Sequence, residues 1–333
     1  MKALFRVDAT PALGAGHVAR CLALASELVA RGTEIIFVVG NASELAAQLV
    51  AARGFQVYKL GANADQDADE TARIASMART NWVVVDHYAL GAEWEGKVRR
   101  TGVRIVAIED LPDRRHDCDL LVDANFRADA NPASSARALL GPQYAMLAPE
   151  FRQARGRERD GSVRRILVGY GGTDPTNETC KALAALAAIG MNRPEIDVAV
   201  GNAYPHDDAV QAALRHLPGA RLHRGLPHLA FLMQACDLAM GAGGTSTWER
   251  LCLGLPAIVS TTAANQVRSV AALATDGYFL YLGPAEQVTS EAMKQSLMTK
   301  IADPDALRRE SARGRTLVDG AGAVRVADAM LGA

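Results

Sequence analysis

Residues 6–20 read Arg6-Val7-Asp8-Ala9-Thr10-Pro11-Ala12-Leu13-Gly14-Ala15-Gly16-His17-Val18-Ala19-Arg20. An apolar run at 3–7 enters this stretch, and an Ala/Leu-rich run at 18–30 leaves it. The pattern is strand, glycine turn, helix. Such a turn aims free backbone N–H groups at an anion. Glycines at 14 and 16 let a backbone approach a ligand closely. His17 at the helix start is either a helix-end histidine or a group that moves protons near neutral pH.

Outward from this turn the alternation continues. Strands are expected at 34–39, 56–60, 82–86, 104–108 and 120–122, with helices at 43–52, 67–79 and 92–100. Continuous apolar strands between helices are the mark of a parallel sheet covered on both faces, so a doubly wound α/β domain spans 1–150. Residues 151–162 carry Arg152, Arg155, Arg157, Glu158, Arg159 and Asp160 with two glycines and no apolar period, and read as a solvated linker. Beyond it, strands at 165–168, 196–200, 220–223, 238–240, 257–259 and 278–281 alternate with helices at 177–188, 209–217, 226–235, 246–253 and 266–275. Residues 163–333 thus form a second Rossmann-like domain with a C-terminal helical extension, and a cleft is expected between the two. The stretch 304–331 reads as helical but is broken by Gly320 and Gly322.

Composition sets the limits. The chain has 333 residues, 49% apolar and 22% charged, with a net charge of −1, so any phosphate site must be local rather than a field for nucleic acid. Aromatic residues at 5% argue against base-stacking platforms. Five scattered cysteines without CxxC spacing read as reduced thiols of a cytoplasmic protein with no zinc site. No run approaches the length of a bilayer span, and no signal peptide is expected.

The dinucleotide fingerprint is incomplete, because the position after GxG that should be glycine is Ala19, and no acid follows the second strand. No P-loop GKS or GKT occurs. Asp86-His87-Tyr88 ends one strand at the edge where open α/β sheets bind ligands; each can bond a substrate hydroxyl or water, or simply close a polar strand end. Glu109-Asp110 follows the next strand, as caps or as part of a sugar pocket. In the second half, Tyr170-Gly171-Gly172-Thr173-Asp174 offers paired glycines, a hydroxyl and a helix cap. Residues 241–249, Gly-Ala-Gly-Gly-Thr-Ser-Thr-Trp-Glu, are the strongest stretch. Backbone N–H groups at Gly244 and Thr245, with the Ser246 hydroxyl, suit a diphosphate, and Glu249 one turn on suits a ribose diol. Asn265 and Gln266 can reach phosphate or sugar, and Asn265 alone also reads as an N-cap.

Taken in order, RVD…GAGHVAR, VVDHY, IED, YGGTD…N, GGTSTWE and NQ resemble the UDP-2,4-diacetamido-2,4,6-trideoxy-β-L-altropyranose hydrolase family of pseudaminic acid biosynthesis, within the MurG-like GT-B nucleotide-sugar enzymes. The resemblance runs from Arg6 to about Gln266. It implies a GT-B fold and metal-independent hydrolysis of a UDP-sugar by water, with inversion at the anomeric carbon, no cofactor, and glycans on flagellin or the cell surface as the destination. It implies His17 as general base or water-orienting group, Tyr88 near the sugar and Asn265 near the anomeric centre. Glu249 is implied on the ribose, and Gly171, Gly172, Thr173, Ser246 and Gln266 on the nucleotide side. Arg6, Asp8, Gly14, Gly16 and Asp86 surround the first loop. A GT-B glycosyltransferase and a non-catalytic sugar-nucleotide-binding subunit are the competing functions. A monomer binding only small molecules, without nucleic acid or membrane insertion, is favoured. Residues after about 285 extend past the last matched motif.

Overall fold

The computed structural model describes residues 1–10, 14–61, 66–111, 114–127, 136–190 and 193–332. The chain folds as two compact units, residues 1–148 with 320–333, and residues 149–319.

The first unit is a seven-stranded parallel sheet. Its strands are β1 (Lys2–Val7), β2 (Glu34–Val39), β3 (Gln56–Lys59), β4 (Trp82–Asp86), β5 (Arg104–Ile108), β6 (Leu120–Asp123) and β7 (Arg137–Leu140), in the order β3-β2-β1-β4-β5-β6-β7. The first four helices are α1 (Gly16–Ala30), α2 (Glu44–Ala51), α3 (Asp67–Ala78) and α4 (Ala92–Arg99). Successive residues of each strand serve opposite faces. Phe5, Val7, Trp82 and Val84 join the core under α1 and α2, whereas Leu4, Val83 and Val85 join the core under α3 and α4. That two-sided burial is why the strands read as unbroken apolar runs. The strand β7 carries no such signal, since Arg137 and Ala138 are exposed.

The second unit holds a six-stranded parallel sheet, β8 (Arg165–Gly169), β9 (Glu195–Val200), β10 (Arg221–Arg224), β11 (Leu238–Ala242), β12 (Ala257–Thr261) and β13 (Leu280–Pro284), ordered β10-β9-β8-β11-β12-β13. Its helices are α5 (Pro149–Gln153), α6 (Glu178–Ala187), α7 (Asp207–Leu214), α8 (Ala230–Ala235), α9 (Ser246–Cys252), α10 (Ala264–Thr275), α11 (Ser290–Ile301) and α12 (Pro304–Leu317). In each sheet the chain reverses direction across one pair of strands, β1/β4 and β8/β11. The C-terminal ends of those pairs are the switch points where ligands bind in this architecture.

Two sequence expectations are corrected. The stretch 151–162 is not a solvated linker but a packed part of the second unit. It begins within α5, and its arginines are spent on carbonyls that helices leave open at their C-terminal ends. Arg155 donates to the carbonyls of Arg315 and Val318, each at 2.8 Å, and Arg157 donates to Gln234 and Cys236. Arg159, 8% exposed, donates to Met233, Cys236, Leu253 and Gly254, and burial lowers its guanidinium pKa to about 10. The second correction concerns the C-terminal stretch, which does not extend the second unit throughout. Gly320 turns the chain at φ +79°, and α13 (Gly322–Leu331) belongs to the first unit, where Val326, Ala327 and Met330 join the core beside α1. A Cβ at Gly322 would lie 2.1 Å from the Ala145 carbonyl oxygen, so only glycine admits this approach.

Candidate active site

At the first switch point, β1 and β4 pair Val7 with Asp86, which brings the helix start of α1 beside the end of β4. His17, 8% exposed, places Nδ1 2.5 Å from Asp86 Oδ1. Arg20, one turn further along α1, grips the same carboxylate, Nε to Oδ2 and Nη2 to Oδ1, both at 2.6 Å. Burial by itself would raise the Asp86 carboxyl, but the Arg20 charge and then His17 outweigh it and hold the acid far below the usual carboxylate range. A carboxylate kept ionised accepts only, so Nδ1 carries hydrogen toward it. In neutral imidazole the lone pair is then on Nε2. Arg20 Nη2 also lies 3.0 Å from Nδ1, as a second donor converging on Asp86.

The sugar-side candidates gather around this trio. The Tyr88 ring meets the His17 ring edge-on, 4.8 Å between centroids, and its hydroxyl donates to Asp110 Oδ2 at 3.1 Å. Arg20 Nη1 reaches the same oxygen at 3.2 Å. Asp123 at the end of β6 is pushed up to about 6 by burial, with repulsion from Asp110 and Glu109 adding to it. Glu109 works as scaffolding: its Oε1 accepts from the backbone of Asp110 and Leu111, and its Oε2 from Arg114 and His116. Arg114 in turn donates to the carbonyls of His87 and Leu90, fixing the loop that bears Tyr88. Burial would lower the His116 imidazolium, yet Glu109 and Glu95 on its two nitrogens raise it to about 9.

Three residues expected on the ligand face inward instead. Asp86, 1% exposed, has both oxygens taken by His17, Arg20 and the Cys21 thiol, so it orients His17 rather than substrate. Arg6, 3% exposed, is clamped between Asp8 and Asp67. Asp8 accepts from Arg6, from the Gly40 backbone at 2.7 Å and from His87 Nε2 at 3.1 Å. Gly14, at φ +72°, has open space among the described residues where a Cβ would stand, and the N-cap residue of α1, Ala15, offers no side-chain cap.

The second switch point is built differently. Gly169 and Gly241 pair across β8 and β11, and a Cβ on Gly241 would meet the Gly169 oxygen at 2.5 Å. The turn beyond β11 runs through Gly243 and Gly244 into α9. Gln266 braces it: its Oε1 accepts from the Thr262 N–H at 2.9 Å, and a Cβ on Gly243 would stand 3.3 Å from that atom. Thr245 supplies no side-chain cap, and Gly243 donates to Ser260. The N–H groups of Gly244, Thr245 and Ser246 have no partner among the described residues. The α6 turn contrasts with it. Gly171 and Gly172 are exposed beside Thr173, but Asp174 caps α6 by accepting from the N–H groups of Glu178 and Thr179 at 2.9 and 2.8 Å. That helix start is already filled by a carboxylate. Asn265 is the second residue of α10 and exposed; the N-cap position is Ala263, so the cap reading of Asn265 is set aside.

Glu249 is partly buried without a hydrogen-bond partner among the described residues. Desolvation pushes its carboxyl up to about 7, against a smaller downward pull from Arg250. Arg20 and Arg250 were missed as site residues, because an arginine on a helix ordinarily reads as a solvated side chain. The signal available was spacing, one turn after His17 and one after Ser246. Among the described residues no group of three or more His, Cys, Asp or Glu is arranged to hold a metal ion, and no helix is long and apolar enough to cross a membrane.

Two parallel-sheet Rossmann-like units, each with a turn at its switch point, make the α/β architecture of the GT-B fold. Comparison with known proteins bears this out. The crystal structure of Acinetobacter baumannii MurG superposes with a TM-score of 0.71 at 15% identity, covering 100% of this chain and 99% of that one. No family model matches the chain. The spore coat polysaccharide biosynthesis protein SpsG of Bacillus subtilis is 33% identical over 207 residues, 61% of this chain, and the match spans only 60% of that relative's length. The UDP-2,4-diacetamido-2,4,6-trideoxy-β-L-altropyranose hydrolase of Campylobacter jejuni is 24% identical over 284 residues, 84% of this chain and 98% of its own. The chain has the GT-B fold. In sequence it is similar to that hydrolase.

Proposed function

We propose that this protein hydrolyses a UDP-linked 2,4-diacetamido-2,4,6-trideoxyhexose to UDP and the free sugar. The observation that carries the reading is the His17–Asp86 contact, with Asp86 locked as an anion by Arg20. It leaves His17 Nε2 as an acceptor able to draw a proton from water. The water oxygen bonds to the anomeric carbon as the bond to the diphosphate oxygen breaks, and the electron pair leaves with UDP. Attack opposite the leaving group inverts the anomeric centre. Such general-base help contributes on the order of 10²–10⁴-fold.

The nucleotide is assigned to the 243–246 turn, where open N–H groups meet the charge that develops on the leaving diphosphate; one such donor is worth about 3 kcal/mol. Glu249 accepts from the ribose hydroxyls. Gly171, Gly172, Thr173 and Gln266 line the nucleotide side; Tyr88 and Asn265 serve the sugar. No metal step is invoked. The product would feed nonulosonic acid synthesis in the cytoplasm.

The test is to incubate the purified protein with UDP-2,4-diacetamido-2,4,6-trideoxy-β-L-altropyranose, with and without EDTA, and follow UDP release and anomeric configuration by NMR. Release of UDP and inverted sugar in both samples is expected. Release only when an acceptor alcohol is supplied would make the protein a glycosyltransferase, and binding without release would make it a carrier.

A further inference from the structure

Arg250 lies beneath the second-unit turn, 3% exposed. Its Nη2 donates to the Ala242 carbonyl at 2.7 Å and to Thr247 Oγ1 at 3.2 Å, and its Nη1 donates to Ser246 Oγ at 3.1 Å. Its Nε is buried with no partner, and no carboxylate forms an ion pair with it among the described residues. The absence of a side chain at Gly241 is what admits it, since a Cβ there would come within 2.9 Å of Nη1. In the first unit the arginines around the switch point are neutralised: Arg6 by Asp8 and Asp67, Arg20 by Asp86 and Asp110.

Two consequences follow from chemistry alone. A guanidinium can only donate, so the hydroxyl oxygens facing it must accept, and each keeps its single hydrogen for another acceptor. Thr247 is buried, whereas Ser246 is partly exposed, so Ser246 is the hydroxyl that can offer this hydrogen to a ligand. Arg250 feels the neighbouring Glu249 carboxyl but makes no ion pair with it; a buried cation so placed is also destabilising, and an anion bound nearby relieves it. We propose that Arg250 is a charge-specificity residue. It fixes Ser246 Oγ as a hydrogen-bond donor and, with no ion-pair contact of its own, supplies the positive charge that makes binding strengthen with each phosphate added to the nucleoside. This rests on the nucleotide-sugar reading above.

The experiment is calorimetric titration of uridine, UMP and UDP into the full chain and its Arg250→Met, Arg250→Lys, Ser246→Ala and Ser246→Ala/Arg250→Met variants. For the unmodified protein, affinity rises from uridine to UMP to UDP. Arg250→Met is expected to weaken UDP by about 30-fold, the scale of losing a charged hydrogen bond, UMP by less, and uridine hardly at all. Arg250→Lys keeps the ranking. The double variant loses less than the product of the two single losses, because Arg250 acts partly through the Ser246 hydroxyl. An equal loss for all three ligands would make Arg250 a purely structural residue and sink the proposal, as would a strictly additive cycle. Should Arg250→Met fail to fold, the Arg250 Nε–H resonance of the unmodified protein, assigned through Arg250→Lys, must shift with UDP and not with uridine; an unmoved resonance overturns the idea. Failure of the unmodified protein to bind any of the three would instead remove the uridine-nucleotide reading.

Discussion

The two switch points occupy the same place in the same kind of sheet, yet their electrostatics are opposite. At the first, two arginines are matched by Asp8, Asp67, Asp86 and Asp110, and Asp123, raised to about 6 chiefly by burial, is pushed further the same way by Asp110 and Glu109. At the second, Arg250 stands without an ion-pair partner under a turn of open N–H groups. On the proposed reading a dianion belongs at the second, while His17 is oriented by the carboxylate of the first. Fold sets where a site can be; local charge sets which half of the chemistry it takes.

This division can be broken most decisively at His17. His17→Ala should cut turnover on the order of 10²–10⁴-fold while leaving UDP affinity within about twofold. Steady-state rates beside calorimetry check it, and normal turnover would remove the base assignment. Next in size is Arg159→Ala, which takes the guanidinium from the carbonyls of Met233, Leu253 and Gly254 and leaves Cys236 only Arg157. It should destabilise the second unit by about 3 kcal/mol in urea titration, and a smaller change would restore the solvated-linker view of 151–162.

Glu249→Ala should have the reverse signature of His17→Ala. UDP affinity falls about tenfold and kcat changes little, as expected for one lost hydrogen-bonded carboxylate. A fall in kcat with UDP affinity unchanged would move Glu249 to the reacting centre. The pH dependence sharpens the same assignment. The Glu249 carboxyl is raised in the folded protein, so its contribution to stability is present below the ordinary glutamate range and is lost as pH rises through about 7. A ribose diol binds the ionised form. UDP affinity should therefore climb as pH rises toward 7 and level off above it, and Glu249→Gln should flatten the profile.

The smallest effect concerns His116, raised to about 9 between two glutamates. Its stabilisation is complete below the ordinary histidine pKa and fades as pH rises through 9. His116→Gln should lower the unfolding free energy at pH 6, on the order of 2 kcal/mol, and matter little at pH 10. A gap that persists at pH 10 would mean packing rather than charge.

The sheets were legible because strands buried on both faces leave continuous apolar runs such as 82–85 and 238–242. The edge strand β7 was not, since residues 137–138 face solvent, and the buried stripe of α11, Met293, Leu297 and Lys300, has helical spacing but ends in a lysine that reads as solvated. The expected strand at 278–281 begins instead at Leu280, because 276–279 turns out of α10 before pairing begins. Of the site, His17 and the glycine turns could be read from type and spacing. What spacing does not carry is the direction of a side chain. Asp86 points back to His17 and not outward, and Arg20 and Arg250 turn inward from helices whose arginines would by default face water. The charged run at 151–162 misled for the same reason, its arginines having open carbonyls to satisfy.

The return of α13 to the sheet where the chain began carries a consequence for assembly. The core around α1, begun on the sheet and α2, is completed only when residues 322–331 have been made, after the whole of the second unit. Synthesis therefore finishes the second unit while the first, which bears His17, still lacks its last wall.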